Sequence, residues 1–433
     1  MTKKIVVRDA SELAEALDSG AEVVIVEGRI KGSPSVTLPA GVTLLGGENG
    51  ELVFGGKGVR VTSDNLIRDL KITTIPYEVA IYNDNEVADA GTIRLENVET
   101  VGQVLLLTEN KTMRMRVEAD GVFVREADVR GRVEQPHGYG VDVLQGGFTL
   151  WNRQESTDSE FTATLKNISA GTEATPVRGS GIFVGGHADR EGRATGGLFT
   201  ADLIETGDVV TDGGIAPGTG DKITAGVFVS SAAKVDRVVN VGSTTTHGQN
   251  DMVLDNWGFV DTWISEGQVI STGPSGVGFV NFGDLNTLEV HSPIITTGGG
   301  ARGFNLYDGS LKTAKFKSIR TSGDGSIGIQ VSKPLPYLEV SEDVATSGGK
   351  GMSLVRGVQV ELKAVALSVK QGGVIDELKI GGALRTEGDE VVTFEVTEGS
   401  EVKKLDIAGG VEANGKGSQR FDIKGSAPKL GND

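Results

Sequence analysis

Apolar residues return along this chain at a long, steady period. An apolar-x-x-apolar frame falls at Val235/Val238, Val260/Trp263, Leu285/Leu288, Leu311/Ala314 and Leu335/Leu338. The steps are 25, 25, 26 and 24 residues, and weaker copies follow at Ile375/Leu378 and Val402/Leu405. Three aromatic residues, Trp257, Phe282 and Tyr307, keep the same spacing. A period of this length without drift predicts a solenoid, in which each repeat buries its apolar face only against its neighbours.

The residues inside each unit predict strands. Gly276–Val290 and Arg302–Phe316 carry short alternating or β-branched runs separated by Gly, Asn, Asp and Ser. That is strand and turn chemistry, and no unit has room for an amphipathic helix of useful length. Two or three short strands at ~3.3 Å per residue close one coil of a parallel β-helix. The expected fold is therefore all-β, a single-stranded parallel β-helix of about 25 residues per coil. The start of the chain differs. Asp9–Gly20 reads as a short helix with Leu13, Ala16 and Leu17 on one face and Gly20 past its end, and Ala21–Val26 reads as a first strand. A solenoid end exposes its core, so a capping helix is expected there. The organisation expected is one domain over residues 1–433, with a cap at 1–22, coils at 23–423 and a tail at 424–433.

The period breaks in three places. Gly181 and Gly226 open similar strands 45 residues apart, so about 20 residues are extra there. The inserted stretches are Gly185–Gly197 and Asp212–Lys222. A second lengthened coil carries Gln135–Asp142 and Phe148–Gln154, and a third covers Gly351–Gly373. Insertions in a solenoid become loops and often form the binding face, although surface loops also tolerate neutral changes of length.

Candidate chemistry gathers at these breaks. His187, Asp189 and Arg190 share the first inserted loop and make an acid–base set. His247, Asp251, Asp255 and Trp257 form the densest polar segment. Asp251 and Asp255 are four apart in an extended chain, ~13 Å, which is beyond the usual separation of a glycosidase carboxylate pair. Each would need a partner carboxylate such as Asp189 or Asp308, and turn-forming Asp and Asn explain the segment more simply. Trp257, Phe282 and Tyr307 fall in one outward column and are expected to stack, either as a platform for sugar rings or as packing under a loop. The inward neighbours Asn256 and Asn281 read as an internal amide ladder. Trp151 with Arg153 adds a second aromatic position and a guanidinium suited to a substrate carboxylate.

Composition narrows the partners. The net charge is -17, and the basic residues form no stripe, which disfavours nucleic acid and anionic membranes. Gly is 64 of 433 without a Gly-x-y period, so turns rather than collagen account for it. The chain has no cysteine, which removes disulfides, thiolate catalysis and Cys-ligated zinc. Its four histidines lack His-x-x-x-His spacing, and Asp-Gly corners such as Ser322–Gly325 lack the tandem calcium array, so no metal and no cofactor is expected. The first residues lack the apolar run of a signal peptide, which predicts a cytoplasmic protein if Met1 is the native start.

From about Val23 to about Ile423 the coil pattern resembles the right-handed parallel β-helix of the pectin-lyase-like superfamily, in bacterial members above all. The resemblance implies that fold and no settled substrate. It transfers no catalytic residue. Arg-x-Pro-x-x-Arg of the pectate lyases is missing, as are Asn-Thr-Asp, Asp-Asp and Gly-His-Gly of the polygalacturonases. Arg29-Ile30-Lys31 matches the last polygalacturonase string but lies at the opposite end of the chain. The expectation is a protein that binds or processes an oligo- or polysaccharide by hydrolysis, elimination or isomerisation. His187, Asp189, Arg190, Asp251 and Asp255 are the candidate catalysts, and Trp257, Phe282, Tyr307, Trp151, Arg153 and His247 the candidate binding residues. The alternatives are a non-catalytic scaffold, with room for a homo-oligomer, and a cytoplasmic enzyme of small metabolites.

Overall fold

The computed structural model describes residues 3–355 and 358–429. They form many short strands and one helix, and the strands pair almost entirely in parallel. No sheet closes into a barrel, and the architecture fits a parallel β-helix. The chain divides into two compact units. The first holds residues 1–139, 144–211 and 229–235, and the second holds 140–143, 212–228 and 236–433.

The first unit opens with a strand, Lys4–Val7, that pairs in register with Val23–Val26. The helix between them spans Ala10–Asp18. The Asp9 side chain caps it by accepting from the Ser11 and Glu12 amides, and Leu13, Ala16 and Leu17 are buried as the pattern predicts. Gly20 takes φ +71° just after the helix, a conformation that costs glycine little. Two parallel ladders follow. One stacks Leu66–Thr73, Asp89–Val101, Arg114–Glu126 and Glu160–Ala170. The other stacks Val79–Asn83, Gln103–Thr108, Gly146–Asn152 and Ser180–Gly185.

The long strands of the first ladder bend at one column. Asp69, Asn97, Gly121 and Asn167 all have φ between 50° and 70°. These are the residue types that enter the left-handed region most readily. At each bend the buried side chains step by three residues, as from Leu95 to Val98. The second unit shows the same three-residue step: Val260 and Trp263 are both fully buried, as are Leu335 and Leu338. The apolar-x-x-apolar frame of the sequence is thus the mark of a strand turning a corner. A polar ladder runs along the outside of each bend, with Asn97 donating to Asp69 at 2.7 Å and Asn286 donating to Asp261 at 2.7 Å.

In the second unit the repeat pairs with itself. Leu254 lies against Phe279 and Phe279 against Phe304, and Val260 lies against Leu285 and Leu285 against Leu311. Trp263, Phe279, Phe304 and Phe316 pack in the core through one T-shaped and two tilted ring contacts. The third lengthened stretch folds as an antiparallel hairpin, Lys350–Val355 with Val358–Lys363.

Candidate functional site

The strand Gly146–Asn152 carries Trp151 on its outer face, in register with Leu107 and Gly185. Gly185 presents no side chain, so the indole lies beside bare backbone and donates to the Gly186 carbonyl at 3.1 Å. Its edge also meets Phe183, with ring centroids 6.0 Å apart. Asn152 is buried, donates to the Leu198 carbonyl and accepts from the Gln154 amide, and so turns the chain outward. The turn brings the Arg153 guanidinium to 4.9 Å from the centre of the Trp151 ring.

The inserted loop 185–197 is a small hairpin. Ala188 bridges Ala194, the Asp189 amide donates to the Arg193 carbonyl, and Gly192 takes φ +82° at the tip. Asp189 organises it. One carboxylate oxygen accepts the Glu191 and Arg193 amides, and the other accepts Arg193 Nε at 2.8 Å. The bond from the Arg193 amide does most to hold this carboxyl below its usual range, and the guanidinium adds to it. Asp189 thus braces the loop, and its partner is Arg193 rather than His187. His187 meets Thr195 Oγ1 through Nδ1 at 3.1 Å, which fixes the ring and leaves Nε2 open.

A cavity of about 350 Å³ lies between this hairpin and the Trp151 strand. It is at the small end of the range for small-molecule sites, about 300–1,000 Å³. Five of the sequence candidates line it: Trp151, Arg153, His187, Asp189 and Arg190. His137, from the lengthened stretch before the strand, joins them. Arg153 is not a free clamp for a substrate, because it is paired with Glu109 and with Glu134, the latter at 2.8 Å. Arg190 has no side-chain partner among the described residues. Among the lining residues outside the candidate set are Glu155 and Ser231. Glu155 follows the Phe148–Gln154 stretch by one position, and that adjacency was the available signal. Ser231 carries no local signal; it is 3% exposed, and its hydroxyl is buried without a partner.

The remaining candidates belong to the second unit, and none lines this cavity. Asp251 is fully buried. It accepts the Gly213 and Gly248 amides at 2.9 and 2.8 Å and the Thr224 hydroxyl, and so ties the inserted stretch after Asp212 to the strand start. Burial pushes its carboxyl up to about 6 against the pull of those three donors. Asp255 is also fully buried. Neither of its oxygens has a partner in hydrogen-bond geometry, and burial raises it well above the usual carboxylate range, with the Trp257 side chain pulling the other way. His247 meets Thr272 Oγ1 through Nδ1 at 2.9 Å.

The aromatic column does stack. Trp257 and Phe282 are 5.8 Å apart between centroids, and Phe282 and Tyr307 are 4.8 Å apart. Trp257 is only 4% exposed and meets Phe228 edge-on, whereas Phe282 and Tyr307 are half-buried. Beside the column, Asn256 donates to Asn281 at 2.9 Å, and both amides are buried, as expected of an internal ladder.

A second concavity, of about 650 Å³, follows the bend in the first unit. Its charges largely pair, Arg68 with Glu96 across strands and Arg116 with Glu118 along one strand, and it has no aromatic wall. Among the described residues no group of three or more acidic or imidazole side chains is placed to hold a metal, and no helix is long and apolar enough to cross a membrane. No family profile matches the chain, and no curated protein or solved structure matches it either.

Proposed function

We propose that the chain is a right-handed parallel β-helix of the pectin-lyase-like kind, with coils of about 25 residues, and that the cavity beside Trp151 binds a saccharide. The steps of 25 residues between paired strands support the coil length. The lining of the cavity carries the binding reading. One small space gathers a half-buried indole, an imidazole with Nε2 open, and two side chains of opposite charge that nothing neutralises. A sugar ring offers C–H groups to an indole and hydroxyls to charged and polar groups. The small volume favours one or two rings or the end of a chain.

His187 and Glu155 are the groups able to move a proton at this cavity. They support hydrolysis, elimination or isomerisation as the reaction classes, with Asp189 bracing the loop and Arg190 meeting the ligand. Asp251 and Asp255 have no route to a ligand while they are fully buried, so the reading gives them structural roles.

Tryptophan fluorescence tests the proposal cleanly, because Trp257 and Trp263 are buried and Trp151 is the half-exposed indole. Titration with neutral and acidic oligosaccharides should give a saturable change that Trp151→Phe abolishes. A flat response from the wild type to every sugar would refute saccharide binding. The scaffold reading draws support from the burial of Trp257 and from the paired charges along the outer faces, such as Lys315 with Glu289 and Lys403 with Asp376. A flat titration together with a stable oligomer by light scattering would favour it.

A further inference from the structure

We propose that the ligand of the Trp151 cavity is zwitterionic: an acidic group meets Arg190 and a protonated amine meets Glu155, as in an amino sugar acid. The inference rests on the saccharide reading and adds the charge of the ligand to it.

The charges around the cavity sort into two kinds. Arg153 is neutralised by Glu109 and Glu134, and Asp189 by Arg193, which also reaches Glu191 at 3.1 Å. These pairs hold the walls. Arg190 and Glu155 remain. Both line the cavity, neither has a hydrogen bond or ion pair among the described residues, and they do not close on each other.

The backbone beside each of them is braced. Arg190 follows Asp189, whose carboxylate fixes the hairpin through two amides and one guanidinium. Glu155 follows Gln154, which is held at three points. Its amide donates to Asn152, its carbonyl accepts from the Gly197 amide at 2.7 Å, and its side chain donates to the Asn110 and Thr112 carbonyls. Two opposite charges on two braced segments face one space.

This arrangement discriminates by charge. A ligand with a carboxylate alone satisfies Arg190 but brings a like charge towards Glu155. A ligand with an amine alone does the reverse. A neutral sugar leaves both groups to water. Only a ligand with both charges is complementary throughout, and a hydrogen bond to a charged group strengthens binding by about tenfold or more.

Calorimetric titration of the full chain at low salt tests the idea with five probes: 2-amino-2-deoxyglucuronate, glucuronate, glucosamine, glucose and L-serine. The amino sugar acid should bind about tenfold more tightly than either singly charged sugar. In Arg190→Gln its affinity should fall to that of glucosamine, and in Glu155→Gln to that of glucuronate. Both side chains are exposed, so the variants keep the fold. Glucose binding within twofold of the amino sugar acid would overturn the zwitterion inference and leave the saccharide reading standing. Serine binding without any sugar binding would overturn the saccharide reading and keep the charge pattern. Binding of none of the five would overturn both.

Discussion

The Trp151 cavity of the first unit and the His247–Trp257 segment of the second are built from the same residue types: carboxylates, a histidine and an indole. Their environments are opposite. Around Trp151 the carboxylate of Asp189 is satisfied by a brace, while Arg190, Glu155 and the Nε2 of His187 stay open. Around Trp257 both carboxylates are fully buried. Asp251 is turned inward onto amides, and neither oxygen of Asp255 has a partner in hydrogen-bond geometry. A polar residue in a solenoid does chemistry only where the next layer leaves it uncovered. A denser polar cluster is no guide by itself, because a buried carboxylate that accepts amides serves the fold.

The largest expected effect lies on the structural side. Trp263 is fully buried against Phe279 and donates to Asn240 at 2.7 Å. Trp263→Ala should cost about 3–5 kcal/mol in chemical denaturation. A loss under about 1 kcal/mol would mean that the repeat column is not the core of its unit.

The pH dependence of stability sharpens the contrast. The folded carboxyl of Asp251 sits at about 6 against an ordinary 3.8, so the folded state holds its proton longer than the unfolded state. That contribution is full below about 3.8 and is lost as pH rises towards 6, by on the order of 3 kcal/mol at most. Asp255 is raised for the same reason and has the same sign. Urea midpoints measured from pH 4 to 7 should therefore fall with a slope that Asp251→Asn reduces. An unchanged slope in that variant would detach the effect from Asp251.

The amide ladder should come next. Asn281 accepts from Asn256 and donates to the Gly283 carbonyl at 2.7 Å. Asn281→Ala leaves buried polar groups without partners and should cost about 1–3 kcal/mol. A calorimetric melt that matches the wild type would show that the ladder is satisfied in another way.

The smallest effect belongs to the cavity. Arg190→Ala and Glu155→Ala remove no partner and should shift the melting temperature by no more than about 2 °C. A large loss of stability in either would place these residues with Asp251 rather than in a binding site, and the comparison would collapse.

Much of the architecture was legible because a solenoid writes its coil into a local period. The frame at Val260/Trp263 and Leu285/Leu288, the helix over Ala10–Asp18 and the Asn256–Asn281 ladder all follow from spacing and side-chain type. The opening strand Lys4–Val7 was missed because four residues are too few for a period to register. The antiparallel hairpin at 350–363 was visible only as extra length, since an insertion breaks the period without declaring its shape.

The site was legible in part. Sequence determined which residues could do chemistry and which stretches were inserted, and it named Trp151, Arg153, His187, Asp189 and Arg190. Only tertiary structure decided their fates: that Glu109 and Glu134 close off Arg153, that Arg193 takes Asp189, and that Ser231 and Glu155 face the same space. It also decided that Asp251 and Asp255 are covered. The reason is physical. Residue type and spacing fix what a side chain is able to do and which strand carries it. Burial and pairing depend on neighbours many residues away, such as Gly213 for Asp251 and Glu109 for Arg153, and no local pattern encodes those contacts.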